Sequence, residues 1–314
     1  MASTSDSEAE TEFGNLFQDP EGFLAPAKEA TFEDYTMRSG QTIKLRLVGS
    51  FPAIPLYPTP FSRPPEHHSI APLENLFTGY PANRFPIEGF LLWNAGKTSA
   101  DYLESMARKW VEGKDILELG AGAGLPSLIC AILGARTVVV TDYPDIDLVE
   151  NMRINAQACE SLLSSGGADL GQKSSSPLRV EGYKWGADPE TVLKHIPKDA
   201  SVGADGRHGF DLMILADVIY NHPQHGELIA SVRQTLKRTR DAVAFVVFTP
   251  YQPWLFEKIA AFFPRVEESG FVVTKLFENL VEKVMFEEDP GDEKLRRTVF
   301  GYELRWKEEE LDKR

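Results

Sequence analysis

The sequence predicts an α/β protein built on a doubly wound, mostly parallel sheet, and three observations lead to this fold class. A short apolar run at residues 116–119 stops at a group of glycines, as a buried strand does when it ends in a tight turn. A helix-forming stretch at 126–134 and a second apolar run at 137–141 follow, which completes a βαβ unit. Strand-like and helix-like stretches then alternate, and two strand-like runs come last.

The individual elements follow from the spacing of apolar residues. Seven strands of one sheet are predicted at residues 116–119, 137–141, 178–185, 210–216, 242–249, 271–277 and 298–306. Helices are predicted at 95–110, 126–134, 145–158, 226–239 and 254–263. The fourth strand is apolar at nearly every position, which is typical of the centre of a parallel sheet. In the helix at 145–158 we expect an inner side formed by Ile146, Val149, Met152 and Ile154.

Changes in amino-acid composition along the chain predict three parts. Residues 1–50 form an acidic N-terminal extension in which the first dozen residues are expected to be disordered and 42–48 to form a half-exposed strand. Residues 51–89 read as a proline-rich irregular insertion, because nine prolines fall between positions 51 and 88. Residues 90–314 form the main domain, with a Gly/Ser-rich loop expected at 161–177.

Composition limits the classes of function. The formal net charge is −14, which argues against a general nucleic-acid-binding surface and is compatible with a basic protein partner. Two cysteines, Cys130 and Cys159, allow neither a metal cluster nor a disulfide framework, and the pair His67 and His68 has no third ligand nearby, so no metal site is expected. No apolar run approaches 18 residues and the start is not basic. We therefore expect a cytoplasmic monomer without membrane contact.

The glycine group after the first strand predicts a ligand site at the carboxyl end of the sheet. Glycines occupy positions 120, 122 and 124, whereas a dinucleotide fingerprint would need its third glycine at Leu125. No Gly-Lys-Ser/Thr follows, which excludes a triphosphate loop. Asp142 ends the next strand, where its carboxylate can accept hydrogen bonds from two ribose hydroxyls. The pattern fits adenosine without a pyrophosphate, as in S-adenosylmethionine; the alternative is a turn that only tightens a strand–helix joint.

A second polar stretch follows the fourth strand, whose end should lie beside the glycine turn. Asp217, Tyr220, Asn221 and His222 place a carboxylate, a phenol, an amide and an imidazole within six residues. Methyl transfer to an amine needs alignment of a neutral nitrogen, and Asp217 and Asn221 can accept its hydrogens while Tyr220 covers the pocket. His222 can take a proton near neutral pH, although a structural role is the alternative.

Two aromatic segments are further candidates for ligand contact. Trp185 ends the third strand, where its indole or its amide can meet an adenine. The stretch 250–254 carries Tyr251 and Trp254, which can form a wall for the substrate or simply pack a proline-stiffened loop.

Together these motifs resemble the seven-β-strand methyltransferases, whose fold is Rossmann-like. The resemblance rests on Glu-x-Gly-x-Gly-x-Gly at 118–124, Asp142 and Asp-Val-Ile-Tyr at 217–220. Further segments, at 16–23, 91–96 and 250–254, are similar to a fungal nicotinamide N-methyltransferase-like group that methylates translation elongation factor 1-alpha. Membership implies methylation of that factor's N-terminal α-amine and of a neighbouring lysine. It also implies S-adenosylmethionine as cofactor, with contacts from Trp93, Glu118, Gly120, Ala121, Gly122, Gly124, Asp142, Tyr143, Trp185 and Ala216.

The chain departs from this pattern before Trp93. Relatives join the early strand to the Leu-Trp-Asn-Ala-Gly segment through a compact His-Pro-Leu-Trp stretch, which residues 51–88 replace here. Three functions therefore stay open: a protein amine methyltransferase, a small-molecule methyltransferase that acts on nicotinamide or a related pyridine, and a binding module without activity. A dehydrogenase that uses NAD is disfavoured by the position of the third glycine.

Overall fold

The computed structural model describes residues 30–47, 92–165, 176–287 and 289–312. Its strands are β1 Thr31–Thr36, β2 Thr42–Leu47, β3 Asp115–Leu119, β4 Thr137–Asp142, β5 Leu178–Gly182, β6 Leu212–Ala216, β7 Val243–Phe248, β8 Phe271–Leu280 and β9 Thr298–Trp306. Strands β3 to β9 form a seven-stranded sheet of order β5-β4-β3-β6-β7-β9-β8, and β1 and β2 form a separate hairpin. Strands β3 to β7 are parallel, and β9 runs antiparallel to both of its neighbours. The predicted fold class is confirmed.

Helices cover both faces of the sheet. They are α1 Asn94–Ser105, α2 Leu125–Ile132, α3 Ile146–Ser165, α4 Glu190–Leu193, α5 His225–Thr235, α6 Phe256–Ala260, α7 Phe262–Glu268, α8 Glu293–Arg296 and α9 Glu308–Leu311. The first three helices share one hydrophobic core with the β1–β2 hairpin, while α4 to α7 pack on the other face. Within the described segments, no helix is both long and apolar enough to span a bilayer.

Strand β6 occupies the centre of the sheet, as its apolar sequence predicts. It pairs with β3 on one side and with β7 on the other. Met213 and Leu215 face one core and Ile214 the other, and all three are completely buried. The ends of β3 and β6 therefore lie side by side, which brings the glycine turn next to the polar stretch that starts at Asp217.

The N-terminal hairpin is integrated into the core. Strands β1 and β2 pair antiparallel, and Ile43, Leu45 and Leu47 are buried against the helices of the first face. Tyr35 Oη donates to Asp101 Oδ1 of α1 at 2.6 Å. The strand predicted at 42–48 is confirmed, whereas β1 was missed because its Thr/Glu/Asp content hides the alternation. The proposed division at residues 50 and 89 stays a prediction, since residues 1–29 and 48–91, including the segment 16–23, the proline-rich insertion and the histidine pair, lie outside the described residues.

The helix predicted at 95–110 is confirmed as far as Ser105 and wrong beyond it. Helix α1 ends at Ser105, and a π-helical turn at Ala107–Val111 follows. This wider turn buries Trp110 and Val111, and the indole ring lies 5.4 Å from the rings of both Tyr102 and Phe245. Burial of the two side chains offsets the less favourable backbone geometry.

The helix predicted at 145–158 is longer than expected and exposes a different face. It continues to Ser165, into the stretch expected to be a loop, and Ile146 is 85% exposed rather than on the inner side. Val149 and Met152 are buried as predicted and Ile154 is half-buried, while the buried side also includes Ala156, Cys159 and two polar residues, Asn151 and Asn155. Apolar periodicity misses these two because their polar groups are satisfied inside the protein.

Other boundaries shift for local reasons. The helix predicted at 226–239 stops at Thr235, because Lys237 N donates to Phe210 O beside β6. The helix predicted at 254–263 starts as a 3-10 turn at Pro253–Leu255 and runs on through α6 and α7 to Glu268. Strand β5 stops at Gly182 instead of residue 185, and β8 extends beyond residue 277 to Leu280 past a bulge.

Candidate active site

The glycine turn after β3 exposes its backbone toward the edge of the sheet. Gly120, Gly122 and Gly124 have φ values of +70°, +55° and +80°, a region that residues with a Cβ seldom adopt. A Cβ on Gly120 would lie 2.7 Å from Val218 Cγ1, so the turn packs directly against the segment after β6. At Gly122, by contrast, no atom of the described residues apart from its chain neighbours lies within 4 Å of the position of a Cβ. The middle of the turn therefore has open space above it.

Asp142 closes this space at the end of β4. Its Oδ2 accepts a hydrogen bond from Gly122 N at 2.7 Å, and its Oδ1 accepts one from Tyr143 N at 2.6 Å. Each carboxylate oxygen has a lone pair left for a further donor. Burial raises the pKa of Asp142 above its ordinary value, and the two amides act in the opposite direction. This arrangement suits a pair of ligand hydroxyls and fits the ribose of an adenosine ligand.

Glu118 supports the turn from below. The side chain is buried, and its Oε2 accepts hydrogen bonds from Ser127 N at 3.0 Å and from Ser127 Oγ. Burial raises the pKa of Glu118 to about 8, against the lowering effect of the Ser127 bonds. In this structure the carboxyl group holds the first turn of α2, and its assignment as a cofactor contact stays a prediction.

Substitution of Glu118 by glutamine tests the cost of this buried carboxyl group. Because the folded state holds the proton up to about pH 8, whereas an unfolded Glu releases it near pH 4.5, stability falls as pH rises between these values. We expect the wild type to lose about 1 kcal/mol more than Glu118→Gln between pH 7 and pH 8. Urea denaturation at the two pH values measures this difference, and identical losses would contradict it.

Asp217 links three elements at the end of β6. Its Oδ1 accepts a hydrogen bond from Thr249 N at 2.8 Å, and its Oδ2 accepts bonds from Ala95 N of α1 and Tyr251 Oη, both at 3.2 Å. Among the described residues it is the one non-glycine with a positive φ, at 50°. Burial raises the pKa of Asp217 to about 7. Backbone strain and a desolvated carboxyl group of this kind are typical of functional sites.

An aromatic cluster lies beside Asp217. The ring of Trp93 is 5.0 Å from that of Tyr251, and Phe286, in the connection between β8 and β9, lies 5.9 Å and 6.0 Å from these two rings. Tyr251 Oη also accepts a hydrogen bond from Asn94 N at 3.2 Å. Tyr251 is therefore a packed part of the site, whereas Trp254 is 50% exposed. Phe286 was missed because the polar sequence around it gives no periodic signal.

The residues that follow Asp217 form a polar rim. Tyr220 is 55% exposed. Asn221 Oδ1 and His222 Nδ1 are buried atoms without a hydrogen-bond partner in the described part of the chain. Buried polar atoms are normally paired, so these two atoms are candidates for a hydrogen bond to a ligand or to water.

The predicted residues share one edge of the sheet. The glycine turn and Ala121 follow β3, Asp142 and Tyr143 lie at the end of β4, and Ala216 ends β6. Trp185, just beyond β5, has its Cζ2 atom 3.4 Å from the position of a Cβ on Gly120. The sequence therefore identified a coherent surface, while the role of each residue toward a ligand stays a prediction.

Two glycine variants distinguish backbone strain from steric exclusion of a ligand. Gly122 and Gly134 both have a positive φ and open space at the Cβ position, but Gly134 lies after α2, away from the turn. Each Gly→Ala change should destabilise the fold by roughly 1–2 kcal/mol because of the left-handed backbone. Only Gly122→Ala should weaken binding of S-adenosylhomocysteine, measured by calorimetry. Equal affinities of the two variants would show that no ligand lies over the turn.

Comparison with known proteins places this site in a family. Residues 88–251 match the family model described as lysine methyltransferase. The protein N-terminal and lysine N-methyltransferase efm7 of Emericella nidulans is 48% identical over 94% of this chain and 96% of its own length. The proteins with that name in Aspergillus fumigatus and Neurospora crassa are 48% and 37% identical and match 96% of this chain, with 96% and 91% of their own lengths covered.

A solved structure supports the fold independently. A methyltransferase in complex with SAH superimposes with a TM-score of 0.50 at 9% identity, over 90% of this chain and 57% of that one. At this identity the likeness concerns the fold. Together with the extensive identity to the fungal proteins, the shared fold leads to one conclusion: the chain belongs to the family of fungal protein N-terminal and lysine N-methyltransferases.

Proposed function

We propose that this protein uses S-adenosylmethionine to methylate the N-terminal α-amine and a neighbouring lysine of translation elongation factor 1-alpha. The observation that carries the proposal is the pairing of two features at one edge of the sheet. Asp142 supplies hydrogen-bond acceptors and the glycine turn leaves open space beside them, a combination suited to a nucleoside. Beside it, Asn221 and His222 present buried atoms that have no hydrogen-bond partner among the described residues.

The part of the site that would bind the methyl donor fits S-adenosylmethionine. Asp142 would accept the ribose hydroxyls, and Gly122 leaves room for the ligand to approach the backbone. Trp185 lies against Gly120 and Trp93 packs on Tyr251, so each can offer an apolar surface, and no phosphate-binding loop is needed. When bound, S-adenosylmethionine supplies an electrophilic methyl group on a sulfonium centre.

The acceptor side must hold a neutral amine in line with that methyl group. Asn221 Oδ1 can accept a hydrogen bond from the amine, and the exposed ring of Tyr220 covers the entrance. Asp217 fixes the start of α1 and, through Tyr251, the neighbouring aromatic cluster. His222 Nδ1 is the candidate to take the proton that the amine loses, as a general base.

The relatives and the charge support a protein acceptor. The similar fungal proteins are named protein N-terminal and lysine N-methyltransferases. An acceptor segment with an α-amine next to a lysine carries two positive charges, and the chain's net charge of −14 attracts it. Because an elongation factor acts in the cytoplasm, we propose a cytoplasmic enzyme, which works as a monomer.

The test combines the purified chain, labelled S-adenosylmethionine and unmethylated elongation factor 1-alpha. Mass spectrometry of the factor's N-terminal peptide should show added mass in steps of one methyl group, and fragmentation should place the groups on the α-amine and the lysine. Transfer to nicotinamide without transfer to the factor would instead favour a small-molecule methyltransferase. If the chain failed to bind the cofactor at all, the proposal would be wrong.

A further inference from the structure

Two asparagines on α3 hold the backbone of the N-terminal hairpin. Asn155 Oδ1 accepts a hydrogen bond from Arg46 N at 2.8 Å, and Asn155 Nδ2 donates to Arg46 O at 2.9 Å. Asn151 Nδ2 donates to the same Arg46 O at 3.1 Å, and Asn151 Oδ1 accepts from Arg46 Nη1 at 3.0 Å. Both asparagines are 2% exposed, so these bonds are shielded from water.

Only one of the two asparagines also reaches the glycine turn. Asn155 Nδ2 uses its second hydrogen to donate to Ala123 O at 3.0 Å. Ala123 lies between Gly122 and Gly124, next to the amide that Asp142 binds. A single buried amide therefore joins the hairpin to the turn, and all of its donors and one acceptor site are used.

We propose that Asn155 is a positioning residue through which the Thr31–Leu47 hairpin controls binding of the cofactor. The inference deepens the proposed function and rests on its cofactor. The glycines around Ala123 have little conformational preference of their own, so an external bond is needed to fix the direction of Ala123 O. If the hairpin separated from α3, Asn155 would lose two of its three partners and the turn would lose a rigid support.

The coupling must act in both directions. A ligand that orders the turn also stabilises the Ala123–Asn155–Arg46 contact, so binding should protect the hairpin from opening. The contact between Arg46 and the turn runs through Asn155, whereas a purely structural asparagine would give no response in the hairpin.

Hydrogen exchange of the wild-type chain is the first test. Addition of S-adenosylhomocysteine should slow amide exchange in peptides that cover residues 42–47 as well as 120–124. Peptides from β9, which lies on the far side of β7, serve as the control and should not change. An unchanged rate in the hairpin, with protection of the turn, would overturn the proposal. Failure of the wild type to bind the ligand would overturn the proposed function and this inference together.

Matched variants supply the second test. Asn155→Asp is nearly isosteric and keeps an acceptor for Arg46 N, but it loses both donated bonds; Asn151→Ala loosens the same hairpin without touching the turn. Calorimetry should show S-adenosylhomocysteine affinity reduced about tenfold by Asn155→Asp and less than about twofold by Asn151→Ala. The hairpin's exchange response should vanish in Asn155→Asp. Equal effects of the two variants would reduce Asn155 to a structural residue, and if Asn155→Asp does not fold, the wild-type exchange experiment decides.

Discussion

Replacement of Asp142 by alanine should reduce cofactor affinity by about 100-fold or more. The carboxylate lies at the end of β4, already oriented by Gly122 N and Tyr143 N, and has one lone pair free on each oxygen. Two hydrogen bonds to a charged acceptor contribute about 1.5–3 kcal/mol each, and both would be lost. Calorimetric titration with S-adenosylhomocysteine measures the change.

The loss should concern binding rather than folding. Burial of Asp142 raises its pKa, so the carboxylate is costly in the ligand-free protein, and its removal leaves Gly122 N without its partner while relieving that cost. Melting temperatures without ligand should therefore stay close to that of the wild type. Asp145→Ala is the matched control, because Asp145 caps α3 through Asp147 N and Leu148 N in the same connection. It should lower stability without changing affinity; wild-type affinity in Asp142→Ala would mean that the site lies elsewhere.

Replacement of Asp217 by alanine should lower methyl transfer more than cofactor binding. The change leaves Thr249 N, Ala95 N and Tyr251 Oη without their hydrogen-bond acceptor. The start of α1 and the aromatic cluster beside it, which would hold the methyl acceptor, therefore become misaligned. We expect kcat/KM to fall roughly 100-fold, since such a misplacement of the acceptor is costly, while affinity for S-adenosylhomocysteine changes only severalfold. Equal losses would show that Asp217 is a scaffold residue for both halves of the site.

The pH dependence of an Asp217→Asn variant adds a second signature. Burial raises the pKa of Asp217 to about 7, so the folded state prefers the protonated form and stability falls as pH rises from about 4 to about 7. The asparagine variant should lack this part of the decline. Tyr251→Phe, which removes one partner and leaves the carboxyl group in place, is the control. Denaturation curves between pH 4.5 and pH 7 distinguish the three proteins.

The fold could be predicted because its signals are local. The glycines after β3, the apolar runs of the central strands and Asp142 at a strand end each report a single element, and parallel pairing then brings the ends together. Features that depend on contacts between distant segments could not be predicted. Asn155 looks polar and surface-like in sequence, and its burial becomes favourable only because Arg46, 109 residues earlier, supplies both backbone partners.

The candidate site could likewise be predicted only where the signals are local. Residue types and order identified Asp217 and the residues after it, but the sequence could not show that its carboxylate turns toward α1 and β7. That orientation follows from the left-handed backbone at this one residue. Likewise, Ile146 fits an apolar helical stripe in sequence yet is exposed, because the buried asparagines set the helix rotation.

The position of β9 in the sheet has a consequence for synthesis of the chain. Strand β8 leaves the ribosome first, but its neighbour in the sheet is β9, which then inserts between β7 and β8. Until residues 298–306 emerge, β7 presents an open edge with every side chain apolar, and β8 has no strand to join. Open edges of this kind invite pairing with other chains. The nascent protein is therefore most exposed to aggregation late in translation. A premature stop codon within β9 would leave both β7 and β8 without their partner strand.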